Sequence, residues 1–334
     1  MRIGLLAFAT KTGLGYQAKS YFKHLPVTKV LELDNRIHNN YKQENWYPDS
    51  IKVNGFPAVK ILDKFVDNLD VIIFAETPVN LEIYEIARSK NVKTVNIVNW
   101  EYFDSSIMGK NLVPDAIIMP SVWYFNAARQ FCDKTDVGLY QLHHPVDRAD
   151  FPFRLRKSFD HFHVAGQPLR HDDRNGTLDY LKAFPDGLVT IQNKKTARFL
   201  KRSYRNAKIV KNVESKDLYD FGDTLVLPRH YGGNCLPLNE AISCGLPVVM
   251  PDASPNSNLL PNGWLVPVEN SGELEIVSKI DTHSVSSQLL RDKVASVSQN
   301  IIENSKIAND IAETISWDNM KAEYIHVLEK IISN

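Results

Sequence analysis

The sequence has few cysteines, no net charge and no long apolar run, and each shortage removes a class of protein. Cys132, Cys235 and Cys244 are its only cysteines. They form no C-x-x-C pair and have no histidines at zinc spacing. That argues against a disulfide framework and a structural metal, and fits a reducing cytoplasm. Lysine plus arginine (39) equals aspartate plus glutamate (39), so any attraction to nucleic acid or membrane needs a local patch. No stretch approaches the roughly 18 continuous apolar residues of a spanning helix, so no membrane span is expected. The run at residues 3–9 is too short for the core of a secretory signal and reads as a buried first strand. There is no internal repeat and no low-complexity tract.

What is present is enough apolar material for two cores: 334 residues, 43% hydrophobic. Short apolar runs at 3–9, 30–33, 71–75, 94–98 and 116–119 are separated by segments long enough for crossover helices. A second series follows at 162–165, 188–191, 209–213, 224–227 and 247–250. This alternation predicts α/β architecture with two Rossmann-like, doubly wound parallel domains. The proline-bearing stretch from His143 to Phe153 breaks both series and marks the linker. The expected division is 1–149, 150–315 and a closing amphipathic helix over 316–334, with Ser316 as cap and Met320, Tyr324, Val327, Leu328 and Ile331 on one face.

Thr12-Gly13-Leu14-Gly15 follows the first strand and precedes a helical stretch. Glycines there let backbone amides approach an anion at the positive end of a helix. The same residues, Gly13-Leu14-Gly15-Tyr16-Gln17-Ala18, match G-x-G-x-x-A, with Asp34 about 20 residues on, as in a nicotinamide-dinucleotide fold. Three polar residues, Thr10 to Thr12, loosen the tight turn that reading needs. The richer segment is Arg229-His230-Tyr231-Gly232-Gly233-Asn234-Cys235-Leu236-Pro237-Leu238-Asn239-Glu240-Ala241-Ile242-Ser243-Cys244-Gly245-Leu246-Pro247-Val248-Val249. A glycine loop, a helix ended by Gly245 and a strand are legible in it. Glu240, about two turns inside the helix, is placed to accept hydrogen bonds from ribose hydroxyls.

This segment resembles the family-4 retaining glycosyltransferases of the GT-B fold, whose two domains face each other across a cleft. Their second domain carries a Glu, seven residues, Glu motif followed by Ala-x-x-x-Gly-x-Pro-Val. The resemblance implies that Glu240 binds the donor ribose and that Gly233, Asn234, Cys235 and Leu236 line the donor sugar and diphosphate. Gly232 stands where the family has its first glutamate, so the sugar is held differently, as a pentose or a hexose in another grip. The segment from Val164-Ala165-Gly166 to Arg174-Asn175-Gly176 resembles the family's strand-glycine and basic-glycine stretch. Arg174 would then neutralise the diphosphate leaving group, with Arg170 substituting for a basic residue that is Gln167 here. Thr12 to Gly15 matches the first-domain phosphate loop, and Ser316-Trp317-Asp318 the helix that crosses back. The Gly-Tyr-Gln-Ala run and the Tyr-Gly-Gly-Asn-Cys-Leu-Pro variant resemble phage-encoded members, which would act in a host cytoplasm.

The expected activity is hexosyl or pentosyl transfer from a nucleotide-diphosphate sugar to a hydroxyl. No D-x-D pair occurs, so no metal or other cofactor is expected. Glu76 and Glu101, at the ends of first-domain strands, are the candidate catalytic carboxylates, with Asp104 a third. Between Lys194 and Lys211 stand eight basic residues and no acidic one. Lys194, Lys195, Arg198, Lys201, Arg202 and Arg205 make a stripe suited to a phosphate-bearing acceptor, including hydroxymethylated pyrimidines in DNA. A surface or lipid-linked saccharide is the alternative acceptor. An NAD(P)-dependent oxidoreductase and a non-catalytic sugar-nucleotide binder are the competing classes.

Overall fold

The computed structural model describes residues 1–34, 42–108, 112–166, 173–191, 194–211 and 213–334. The chain divides into two units, Met1–His144 with Met320–Asn334, and Pro145–Asn319. The first boundary thus falls at the start of the proline-bearing stretch instead of at 150.

The first unit is built on β1 (Ile3–Ala7), β2 (Val27–Asp34), β3 (Ile51–Asn54), β4 (Val71–Phe74), β5 (Lys93–Ile97), β6 (Ala116–Met119) and β7 (Gly138–Gln141). They form one parallel sheet in the order β3-β2-β1-β4-β5-β6-β7. β1, β4 and β6 are buried along their whole length, which is why they read as unbroken apolar runs and not as alternating ones. Helices α1 (Gly13–His24), α2 (Val59–Val66), α3 (Glu82–Ser89) and α4 (Phe125–Thr135) make the crossovers. α2 contributes Leu62, Phe65 and Val66 to a core shared with Leu31, Val53 and Ile83. The strand order reverses between β1 and β4. Their following loops diverge at the carboxyl edge, where open α/β sheets take ligands.

The second unit repeats the plan with β8 (His161–Val164), β9 (Leu188–Ile191), β10 (Lys208–Lys211), β11 (Thr224–Val226), β12 (Val248–Pro251) and β13 (Leu265–Val266). The sheet is parallel in the order β10-β9-β8-β11-β12-β13, so its switch point lies between β8 and β11. Its helices are α5 (Thr177–Ala183), α6 (Lys194–Ser203), α7 (Leu236–Ser243), α8 (Asn256–Leu259), α9 (Ser287–Gln299) and α10 (Ile301–Thr314). An antiparallel hairpin, β14 (Asn270–Glu275) and β15 (Lys279–Ser284), lies outside the expected pattern, as do β3, β7 and β13. β14 is almost wholly exposed and mostly polar, so it carries no apolar run to announce it.

Helix α11 (Trp317–Ser333) closes the chain. The Ser316 hydroxyl accepts the Asn319 amide at 3.3 Å, the cap its position predicts. Met320, Tyr324, Val327, Leu328 and Ile331 are all buried. Within the first unit the Tyr324 hydroxyl donates to the His143 carbonyl at 3.0 Å, and its ring lies 5.8 Å from that of Tyr21. Cys132, Cys235 and Cys244 are buried free thiols. Among the described residues no helix is long and apolar enough to cross a membrane.

Candidate functional site

At the first switch point, the loop after β1 turns into α1 under a side-chain cap: Thr12 Oγ1 accepts the Gly15 amide at 3.2 Å. Gly15 is buried, and a β-carbon on it would stand 2.0 Å from the Thr10 carbonyl oxygen, so the position admits only glycine. Gly13 is exposed with open space where a β-carbon would go, and Leu14 is half-buried between them. Gly15 therefore serves the turn, while Gly13 and Leu14 stand at the helix start where an anion would be met. Asp34 is the last residue of β2.

Glu76 follows β4 at the same switch point. Its carboxylate accepts the Asn99 side-chain amide at 2.9 Å and the Thr77 amide at 3.2 Å, so it is oriented by the neighbouring strand's loop. Glu101 follows β5 in a short 3-10 turn, Trp100–Tyr102, and is only 1% exposed. Asp104 accepts the Ser106 hydroxyl and amide, which hold its carboxyl below the usual range. Glu76 is thus partly exposed on the ligand edge, Glu101 is buried beside it, and Asp104 is committed to a turn.

The second switch point brings together more of the sequence-derived candidates. Arg174 is presented by a knotted turn between β8 and α5. Asp173 is held at φ 46° and accepts the Leu178 amide at 2.5 Å; burial is the main reason its carboxyl lies above the usual range. Asn175 donates to the Val164 carbonyl at 3.1 Å. Gly176, at φ 71°, packs so closely that a β-carbon would stand 2.0 Å from the Pro228 carbonyl oxygen. The Arg174 guanidinium lies 5.2 Å from the Tyr231 ring centre, and its carbonyl accepts the His230 amide at 2.9 Å. Arg170 lies outside the described residues.

The loop after β11 is organised by Arg229, whose role the sequence did not announce. This guanidinium is 6% exposed and donates to the Tyr231 carbonyl (2.8 Å), Asn234 carbonyl (2.8 Å), Asn175 Oδ1 (3.3 Å) and Cys235 Sγ (3.4 Å). It fixes the course of Gly232, Gly233, Asn234 and Cys235 into α7, where Leu236 is the first residue. Gly232 sits at φ 122°, and a β-carbon there would meet Arg229 Nη2 at 2.3 Å and Arg174 Nη2 at 2.8 Å. Two guanidinium groups thus converge where the related motif has a glutamate.

Glu240, half-buried on α7, accepts a short hydrogen bond from the Tyr219 hydroxyl. Burial raises its pKa to about 8; the Tyr219 bond opposes this and Asp150 adds to it. In the loop after β11, His230 Nε2 lies 2.8 Å from Asp179 Oδ2. Burial pushes the Asp179 carboxyl up, but hydrogen bonds from His230 and Lys182 outweigh that and leave it lowered. Among the described residues no three His, Cys, Asp or Glu side chains group as metal ligands.

The basic stripe lies on α6, beside strands β9 and β10. Lys195, Arg198, Lys201 and Arg202 are exposed, as is Arg205 just beyond the helix, while Thr196, Ala197 and Leu200 are buried. The Lys194 side chain lies outside the described ones.

No protein-family model and no curated protein matches the sequence. Solved structures do. HepE from Anabaena bound to UDP is 13% identical with a TM-score of 0.68, covering 99% of this chain and 100% of that one. The same protein bound to UDP-glucose gives 14% identity and a TM-score of 0.66, covering 99% of this chain and 100% of that one. Sucrose-phosphate synthase from Thermosynechococcus elongatus is 12% identical with a TM-score of 0.66, covering 100% and 99%. The pneumococcal O-GlcNAc transferase GtfA, bound to UDP and GlcNAc, is 17% identical with a TM-score of 0.58. The match covers 82% of this chain and only 60% of GtfA. The two-domain α/β fold is that of GT-B glycosyltransferases.

Proposed function

We propose that this chain is a retaining glycosyltransferase that moves a sugar from a nucleotide-diphosphate donor to a hydroxyl group. One observation carries the reading: the Arg174 and Arg229 guanidinium groups converge on Gly232, in the loop that leads from β11 into α7, on a fold shared with HepE, whose structures hold UDP and UDP-glucose. Expelling a nucleoside diphosphate builds negative charge on the leaving oxygen, and fixed donors aimed there lower the barrier. In the second unit Arg174 supplies a cation and Gly233, Asn234, Cys235 and Leu236 at the start of α7 supply amides; in the first unit Gly13 and Leu14 at the start of α1 offer amides of their own to an anion. Glu240 takes the ribose hydroxyls. Glu76, partly exposed at the edge and oriented by Asn99, orients the acceptor hydroxyl in preference to the buried Glu101. Retention of anomeric configuration follows from the resemblance to family 4, and proton NMR of the first-formed product checks it.

No metal takes part, because the sequence lacks a D-x-D pair to hold one. Activity abolished by chelator and restored by magnesium or manganese would overturn this. Thermal stabilisation separates the reading from its competitors. UDP or GDP and their sugars stabilise a sugar transferase, and NAD or NADP an oxidoreductase built on Gly13, Gly15 and Asp34. Binding without hydrolysis or transfer leaves a non-catalytic binder.

For the acceptor, we propose hydroxymethylated DNA held by Lys195, Arg198, Lys201, Arg202 and Arg205, with the reduced thiols suiting a cytoplasmic setting. The exposed, one-signed face of α6 supports this over a surface or lipid-linked saccharide. A gel shift with hydroxymethylated DNA should weaken with salt and in Arg198→Ala/Arg202→Ala. Absence of binding at low salt removes DNA.

A further inference from the structure

Glu240 stands on α7 with one carboxylate oxygen already engaged: the Tyr219 hydroxyl donates to Oε2. Among the described residues no other group is bonded to this carboxylate, and Oε1, on a half-buried side chain, keeps access to solvent.

Tyr219 is itself fixed. It follows the 3-10 turn Ser215–Asp217 after β10 and is fully buried. Its ring meets Phe151 edge-on at 5.8 Å, and the Phe151 carbonyl accepts the Ser243 hydroxyl at 2.6 Å. Ser243 lies nearly one turn beyond Glu240 on α7, so the tyrosine ring and the carboxylate are both referred to one helix. The next residue, Asp220, pairs with Arg154 at 2.6 Å and ties the turn down.

A glutamate's terminal torsion is broad, so an untethered carboxylate points its lone pairs in many directions. The Tyr219 bond removes that freedom and leaves one oxygen for a ligand. A buried hydroxyl needs an acceptor, but a main-chain carbonyl would serve it without placing a charge in low dielectric. Here burial raises the Glu240 carboxyl to about 8, Asp150 adds to the rise, and the Tyr219 bond opposes it. The tyrosine thus favours the ionised form, which accepts from hydroxyls most strongly.

We infer that Tyr219 is the positioning residue of the ribose site: it fixes Oε2 of Glu240 so that Oε1 meets the ribose hydroxyls. The inference rests on the nucleotide-sugar reading given above, and assigns a residue that acts on the donor without touching it.

Calorimetric titration of the full chain with UDP, and with its analogue lacking both ribose hydroxyls, tests it. The measurement is made at about pH 9, where the Glu240 carboxyl is ionised and Tyr219, held well above its ordinary value by burial, still donates. The unaltered chain should bind UDP about tenfold or more tightly than the analogue, as a hydrogen bond to a charged group provides. Tyr219→Phe should cut that ratio to about threefold or less and leave affinity for the analogue unchanged. A merely structural role would weaken both ligands alike, so an unaltered ratio overturns the inference. Glu240→Ala should lose the ratio by itself, with no further fall on adding Tyr219→Phe. A further fall means that Tyr219 touches the ribose directly, and overturns it also. Equal affinity of the unaltered chain for both ligands removes Glu240, and Tyr219 with it, from the ribose. Failure of UDP to bind at all defeats the underlying reading itself.

Discussion

Gly13 and Gly15 share a loop but answer to different forces. Gly15 abuts the Thr10 carbonyl, where a β-carbon would stand at 2.0 Å, whereas Gly13 faces open space. Gly15→Ala should therefore destabilise the first unit by about 1–3 kcal/mol, the range for overpacking. Gly13→Ala should leave stability within about 0.5 kcal/mol, as surface changes do. Urea denaturation of both variants checks the contrast, and equal losses would refute it. At Gly232 the same logic opposes restoring a glutamate. Gly232→Glu would put a side chain at φ 122° into two guanidinium groups, so it should lower stability and UDP affinity together.

Glu240 gives the pH dependence. Its pKa rises from 4.5 to about 8 on folding, so between those values the folded chain holds a proton that the unfolded chain has released. Stability contributed at this site is full below about pH 4.5 and falls as pH rises toward 8, by at most about 1.4 kcal/mol per pH unit. Glu240→Gln should flatten that slope. Ribose hydroxyls donate to the ionised carboxylate, so UDP affinity should rise with pH over the same window, up to tenfold per unit. A flat affinity between pH 6 and 8.5 would remove Glu240 from the ribose site. Arg174 and Glu240 were legible because a motif spacing names them. Arg229 was not, because an isolated arginine reads as a solvated residue. Its burial depends on acceptors contributed by Asn175, 54 positions away.

At the scale of elements, α6 shows how one helix divides its labour. Ala197 and Leu200 are buried and Arg198, Lys201 and Arg202 are exposed, as three- and four-residue spacing predicts. Leu200→Ala should cost about 2–5 kcal/mol, since it leaves a cavity under the helix. Arg198→Ala/Arg202→Ala should leave thermal stability nearly unchanged and act only on anion binding, and melting curves distinguish the two. Strands buried on both faces, such as β1, β4, β11 and β12, were legible as apolar runs. The edge strand β3 alternates, β13 spans two residues, and the hairpin is polar on its open side. β3 and the hairpin escaped because exposure removes the apolar signal that burial demands, and β13, although buried, because two residues are too few to show one. The missed hairpin also braces the loop after β11, its His283 amide donating to the His230 carbonyl at 2.9 Å, so part of what shapes the candidate site was hidden with it.

At the scale of the whole molecule, the two-unit plan was legible from two series of apolar runs, and the closing helix from its periodicity. Its allegiance is a matter of contacts: residues 320–334 belong to the first unit although the second unit precedes them in sequence. Tyr324, Leu328 and Ile331 are each less than 5% exposed, and Met320 and Val327 are at 8%. A fully buried apolar side chain of this size contributes about 1.5–3 kcal/mol, and a domain is stable by only about 5–15 kcal/mol overall. A chain ending at Asn319 should therefore lose cooperative folding of its first unit. Residues 145–319 keep their own sheet, Arg174, Arg229 and Glu240, and should still bind UDP. Hydrogen exchange should show protection lost in β1–β7 and retained in β8–β13, while calorimetry records the UDP affinity. Tyr324→Phe is the graded version, keeping the packing but removing the bond to the His143 carbonyl, at a cost of about 1 kcal/mol. Unchanged exchange in the first unit after truncation would show that its core closes without the returning helix.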